Sequence, residues 1–310
     1  MFARYLIQRI GQVIPVLLGI SAISFLLMHL TPGDPAEIML RADGIQPTQE
    51  AIAMTRITLG LDRSIPEQYL SWLVQLLQLD LGISYSSGRP VMSELMMRFP
   101  ATALLAGGAL AAAMLIALPL GIGSALYPGS WLDRLGRLIA MASASMPGYW
   151  LGLLLLYYGA VKLKLFPVMG MEGARSIVLP ALTLGCGMAG IYIRLIRANL
   201  LEELGKLYVT AARAKGLPEW QIISSHALRN AVLPSLTLLG IQTASLLGGS
   251  VIIESIFSWP GIGKYAVDAI FAKDYIVIQG YVFMMAVIVV MVNLIVDLIQ
   301  LLLDPRLRLR

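Results

Sequence analysis

The chain has 310 residues, 58% of them hydrophobic and only 13% charged, with a formal net charge of +5, one cysteine and two histidines. Soluble domains carry about 25% charged residues, so an ordinary soluble domain is excluded. A single cysteine excludes an intrachain disulfide, and two histidines exclude a histidine metal cage within the chain.

The charge deficit is concentrated in apolar runs of about 20 residues, the length that crosses a hydrocarbon core of about 30 Å. Helices cross it because they satisfy their own backbone hydrogen bonds. The chain therefore reads as an all-α membrane protein with about six transmembrane helices, and the basic balance reflects membrane topology rather than nucleic acid. The first span is expected at residues 10–30, after Arg4 and Arg9. It exceeds the apolar core of about 7–15 residues in a cleaved signal peptide, so it reads as an uncleaved span.

Residues 31–98 are too long for a turn and are expected to form a small external helical insertion. Pro47-Thr48-Gln49-Glu50 opens a helix with Thr48 or a neighbour as cap. Tyr69, Leu70, Leu73, Leu76 and Leu77 recur at helical spacing. That stretch is too short and too polar to span, and is expected on the outer surface. From Arg89 another short helix is expected to lead into the second span, 101–126, which contains Pro119. The third span, 135–161, is broken at Ser145-Met146-Pro147-Gly148, and the fourth covers 177–195. The fifth is 233–253 and the last 276–303. "LLAGGALAAAM" and "TASLLGGS" supply small residues for close helix approach in the second and fifth spans.

Lysine and arginine near the span ends fix orientation. With the long 31–98 segment set aside, thirteen cations fall on the side of the N-terminus and five on the other. Both termini are expected inside, with Arg306, Arg308 and Arg310 in the C-terminal tail. This topology makes 201–232 the largest inner loop. Ala211, Ala212 and Ala214 favour helix, Gly216 ends it, and Pro218 suits the start of the next. The loop reads as helix, break, helix, lying against the membrane with one short basic arm able to project into a partner's groove. A positive-inside loop without a partner is the alternative.

Other features carry less. "SWPGIGKY", residues 258–265, lacks the first glycine and the final Ser/Thr of a phosphate loop. It reads as a rigid outer turn, with "KYAVDAIF" a short helix over the pore mouth. Asp297 lies four residues after Asn293 on one helix face, and is expected to pair structurally rather than relay protons. Arg194 and Arg197 are expected to snorkel, and His29 to sit at the interface. The methionines are scattered and no metal site is expected. No catalytic cluster is present, so the chain is not read as an enzyme. A secondary transporter working without ATPases is the competing class, although no inverted repeat is evident and Asp297 is the one acid expected within a span.

"TAARAKGLPEWQIISSHALRNAVLP" resembles the cytoplasmic signature loop of ABC importer permeases. Thr210-Ala211-Ala212 stands at the Glu-Ala-Ala position, Gly216 at the motif glycine, and Leu233-Pro234 at the closing pair. The missing glutamate and the long stretch between Gly216 and Leu233 resemble the peptide/nickel branch. So do "LGLDRSIPEQYLSWL", "LDLGISYSSGRPV", "SMPGYWLGLLL" and "IIESIFSWPGIGKYAVDAIFAKDYIVIQG", in this order.

The resemblance implies a type I ABC importer permease fold in the bacterial inner membrane. It implies a tail and first helix at 1–30, the insertion at 31–98, a permease core at 99–303 and a cytoplasmic tail at 304–310. It also implies a second homologous permease, two cytoplasmic ATPases and an external substrate-binding protein, with no nucleic acid. The ATPases would grip Thr210, Ala211, Ala212, Arg213, Ala214, Lys215, Gly216 and Leu217. Trp259, Pro260, Gly261 and Gly263 would lie near the outer gate and the binding-protein contact. ATP and Mg²⁺ would act on the partner subunits, and no cofactor on this chain. The closing motifs and "LFPVMG" favour nickel, free or as a small chelate, ahead of dipeptide, oligopeptide or glutathione-like solutes.

Overall fold

A computed structural model describes the backbone of residues 2–30, 33–42 and 47–303, and their side chains except at 2–10, 42, 233, 236, 237, 241 and 300–303. The tail 304–310 and the side chains of Arg4, Arg9 and Leu233 lie outside the described residues.

The described residues are helical apart from turns and one isolated bridge, Ile83 to Pro90. In chain order, α1 is Phe2–Leu30, α2 Pro35–Ala42, α3 Gln49–Thr58, α4 Ile65–Leu77, α5 Val91–Leu126, α6 Trp131–Ser145 and α7 Gly148–Leu155. A π-helical segment, Leu156–Lys162, extends α7. Then come α8 (Val178–Leu204), α9 (Leu207–Ala214), α10 (Glu219–Gln221), a second π-helical segment (Ile222–Ala227), α11 (Leu228–Ile256), α12 (Ile262–Ala272) and α13 (Tyr275–Leu303).

Five stretches are long and apolar enough to span a membrane: Gly11–Leu30, Val91–Leu126, Val178–Leu204, Leu238–Ile256 and Tyr275–Ile299. The pair Trp131–Ser145 and Gly148–Lys162 is the sixth candidate, bent by 109°. The bend follows from Pro147. Met146 before it is extended (φ −97°, ψ 121°) and Pro147 itself is extended (φ −60°, ψ 135°), because a proline ring disfavours helix in the preceding residue.

The short helix expected before the second span is instead continuous with it. α5 runs 36 residues through Pro100 and Pro119. A proline removes a single ladder bond, and the Glu94–Arg98 bridge one turn apart braces the helix just before Pro100.

The chain divides into two compact units. One comprises residues 1–101 and 261–290, so the insertion shares it with α1, α12 and the first half of α13. Thr48 caps α3 by accepting from Ala51 N–H. Glu67 starts α4 by accepting from the backbone and hydroxyl of Ser64 at 3.0 and 2.9 Å, which holds its carboxyl below the usual range. α4 packs against α1: Gln68 meets His29 at 3.0 Å, the hydroxyls of Tyr69 and Ser21 are 2.9 Å apart, and Phe25 contacts the rings of Tyr69 and Trp72.

The core of this unit gathers Leu76, Leu81, Val91, Leu95, Ile262, Ala269 and Val277. Fully buried Asp274 ties the 84–86 turn to the start of α13. It accepts from Ser84 Oγ at 2.6 Å, from Ser86 N and Oγ at 3.0 Å, and from Val277 N at 3.3 Å. Burial, with Asp274 next, pushes the neighbouring Tyr85 hydroxyl up to about 12.

The other unit comprises residues 102–260 and 291–310. Ala109, Ala113 and Ala117 of α5 form a smooth stripe against Met188, Tyr192, Ile193 and Ile196 of α8. The approach is close enough that a Cβ on Gly185 would stand 2.8 Å from the Ala109 carbonyl oxygen, which is what small residues permit between spans.

Contacts from the bent pair fall in reverse order along α8. Asp133 bonds Arg197, Ser143 donates to the Cys186 carbonyl, Gly152 abuts Thr183, and Ala160 clusters with Leu179. At one end Ala125, Leu200, Ala227 and Ala231 meet. At the other, Ala160, Leu179, Ile253 and Phe257 meet, and Gly170 N–H donates to the Phe257 carbonyl at 2.9 Å. The chain thus passes from one end of this unit to the other between Leu126 and Gly170. Despite its bend, the pair is a broken span and not a re-entrant loop.

Two charge expectations change. Arg197 does not snorkel; its Nε and Nη2 donate to buried Asp133 at 2.9 and 3.4 Å. Nor is Asp297 the one acid within a span. α11 continues to Ile256 and carries in fully buried Glu254, which accepts from Thr102 Oγ1 at 2.8 Å and Ser250 Oγ at 3.2 Å. Asp297 is half-buried and is not an isolated charge.

Candidate coupling elbow and outer turn

The elbow begins where α8 stops at Gly205. Glu203 binds Lys206 Nζ at 2.5 Å and accepts from the Tyr208 hydroxyl at 2.7 Å, stitching the end of α8 to α9. That carboxylate raises the Lys206 amine above its usual value; Tyr208 is raised by burial first and by Glu203 second. α9 rests on the second π-helical segment; Val209 is fully buried in α9, and Ile222 and Ala227 in the segment.

The helix ends in a Schellman motif. Leu217 N–H donates to the Ala212 carbonyl at 3.2 Å and Gly216 N–H to the Arg213 carbonyl at 2.9 Å. This requires Gly216 at φ +77°, a conformation that glycine adopts without a Cβ penalty. Pro218 then sets the extended entry to α10. Across the turn, Arg213 Nε and Nη2 reach Glu219 Oε1 and Oε2 at 2.5 and 3.3 Å. The elbow is therefore fixed by local bonds before any partner arrives.

Of the residues expected to be gripped, Thr210, Ala211, Arg213, Ala214, Lys215 and Gly216 are exposed, and Ala212 and Leu217 are half-buried. Two more side chains stand out from the same arm: Leu207 is 87% exposed and Trp220 70%. By sequence the arm reads as short and basic, and they are passed over. Their signal was a large apolar residue on either side of a polar, basic turn.

The second candidate site differs. Trp259 is 1% exposed, and Gly261 and Gly263 are buried; Pro260 alone of the four is exposed. Trp259 N–H closes α11 by donating to the Glu254 carbonyl at 2.8 Å. Lys264, which sits where a phosphate-loop lysine would, is bonded to Asp268 at 2.6 Å. His29 has both ring nitrogens on carbonyl oxygens, those of Phe25 and Gln68, each at 3.0 Å. Among the described residues no three His, Cys, Asp or Glu side chains group to hold a metal.

Comparison with known proteins agrees with this architecture. Residues 117–309 match the family described as binding-protein-dependent transport system inner membrane component, and residues 1–106 match its N-terminal region. The chain is 38% identical over 304 residues to the glutathione transport system permease protein GsiC of Pectobacterium atrosepticum, covering 98% of each. It is 35% identical over 336 aligned positions to the dipeptide transport system permease protein DppB of Escherichia coli K12, again covering 98% of each. Among solved structures, an inward-facing MetNI methionine ABC transporter chain superposes with a TM-score of 0.59 at 20% identity, over 69% of this chain and 97% of that one. The chain therefore belongs to the binding-protein-dependent transport system inner membrane components, as a multi-pass ABC importer permease of the peptide branch in the bacterial inner membrane.

Proposed function

We propose that this permease imports peptide-class solutes, dipeptides or glutathione-like peptides, together with a second homologous permease, two cytoplasmic ATPases and an external binding protein. The ATPases hold Thr210–Leu217 and use the ATP and Mg²⁺; this chain binds neither. Both termini lie in the cytoplasm, on the side of the elbow. Closing of the ATPases pulls the elbow and rocks the spans between inward- and outward-open states.

The observation that carries this reading is the elbow itself: exposed, basic, and held by its own bonds around Gly216. A preorganised projection loses little conformational freedom when it enters a groove. For the solute, the names of the relatives favour peptides over nickel, and nickel rests only on the closing sequence motifs and "LFPVMG".

In a Cys186→Ala background, Ala214→Cys is expected to crosslink to the ATPase, and reagent confined to the periplasm is expected not to reach it. Gly216→Pro is expected to abolish uptake with normal membrane insertion; full uptake by that variant overturns the coupling role. Labelled dipeptide, glutathione and nickel are then compared in proteoliposomes bearing the binding protein. Uptake of nickel alone overturns the peptide assignment.

A further inference from the structure

We infer that α4 is a lipid-facing helix: the insertion after α1 does not stay in water but lays one side of α4 into the bilayer beside α1. The argument starts from depth. The apolar window of α1 ends at Leu30. Ser21 lies nine residues earlier, about 14 Å along the axis at about 1.5 Å per residue, and Leu18 about 18 Å. Yet the Tyr69 hydroxyl of α4 is 2.9 Å from Ser21 Oγ and 3.4 Å from the Leu18 carbonyl oxygen, and Ser21 Oγ itself donates to Leu18 at 2.8 Å. A tyrosine hydroxyl at that depth needs a protein partner, since lipid tails offer none; Tyr69 has one. Phe25, between these levels, contacts both Tyr69 and Trp72.

Composition agrees. From Ile65 to Leu79 the one charged residue is Glu67, fixed at the helix start by Ser64. Wound at about 3.6 residues per turn, α4 has an apolar arc too wide for its contact with the protein. Leu76 is buried and Tyr69, Trp72 and Leu73 are half-buried, while Leu70, Val74 and Leu77 are 60%, 54% and 83% exposed. Those three stand at i, i+4 and i+7, one helix face. Leu79 and Ile83 continue the exposed apolar surface beyond the helix. The polar residues Ser71, Gln75 and Gln78 form a separate strip about 100° round the helix from that face, so α4 is amphipathic, as a helix lying at a membrane interface is. Leu18, Leu26, Leu27 and Leu30 of the neighbouring α1 are likewise exposed within its apolar span.

The occupant is therefore bilayer lipid, and a protein partner is the competing outcome. The test uses the complete transporter in liposomes with Cys186→Ala. Nitroxides are placed at Val74→Cys, Leu77→Cys and, as control, Gln78→Cys, with Leu70→Cys held in reserve should a label disturb assembly. Retained uptake certifies each variant. Labels at 74 and 77 are expected to relax with dissolved oxygen but not with a water-soluble paramagnetic chelate, and the label at 78 with the chelate. Chelate access at 74 and 77 overturns the inference by placing the face in water. Immobilised labels that neither reagent reaches overturn it by placing the face against protein.

Discussion

The elbow at 205–221 and the outer turn at 258–263 are written in similar residues, a basic side chain near a Gly-Pro break between helices, and they end as opposites. In the elbow the glycine serves conformation: Gly216 takes φ +77° so that two backbone bonds close α9. The side chains around it are left outside. In the outer turn Gly261 has φ −92° and ψ 178°, a conformation open to other residues, and it is buried, as are Gly263 and Trp259. The first turn presents side chains and the second removes them from solvent. A partner meeting the outer turn therefore encounters Pro260 first, whereas a partner meeting the elbow encounters a whole arm.

This contrast is broken most forcefully at Trp259. Replacing a fully buried tryptophan by alanine costs about 3–5 kcal/mol, so Trp259→Ala is expected to lower the thermal midpoint of the purified permease and its yield in the membrane. Unchanged stability with selective loss of binding-protein affinity would instead make the turn a contact surface. Next comes Gly216→Val. A β-branched residue held at positive φ carries about 1–3 kcal/mol of strain, and the motif relieves it by opening. ATP-driven uptake is expected to fail while insertion and thermal midpoint stay near those of the parent chain. Smaller again is Trp220→Ala. An exposed aromatic beside a docking elbow behaves as an anchor worth about 1–2 kcal/mol, so ATPase affinity is expected to fall about tenfold. Binding unaffected by this change would confine the contact to Thr210–Leu217.

What could be read beforehand follows the same division. The apolar spans, the cap at Thr48 and the stop at Gly216 depend on local composition and backbone geometry, and each was legible. The continuous α5 was not, because a single proline removes one bond from a helix that its neighbours sustain. Arg197 was misjudged because its partner, Asp133, lies 64 residues away, and no periodicity announces a contact of that range. Burial of Trp259, Gly261 and Gly263 has the same origin: a Gly-Pro turn reads as surface until the surrounding helices are in place. The apolar character of the elbow was missed differently. Leu207 and Trp220 were visible, but the basic residues between them dominated the reading.

The smallest expected effect concerns pH and the clamp across Gly216. Hydrogen bonding from Arg213, with its charge second, holds the Glu219 carboxyl below the usual range, while Glu219 raises Arg213. Arg213 therefore stays charged throughout, and Glu219 decides. A depressed acid favours the clamped form fully above the ordinary glutamate value of about 4.3, progressively less below it, and not at all once pH falls through the lowered value. Both groups are solvent-exposed, so salt weakens the pair. With 5-fluorotryptophan in the chain and Trp220→Phe used for assignment, the Trp220 fluorine resonance is expected to stay put from about pH 8 to 5 and to move only in acid. Glu219→Gln should abolish that movement. A transition near neutrality would mean that another group governs the elbow. A flat response would leave the clamp intact at physiological pH, and variation of uptake there would have to originate elsewhere in the transporter.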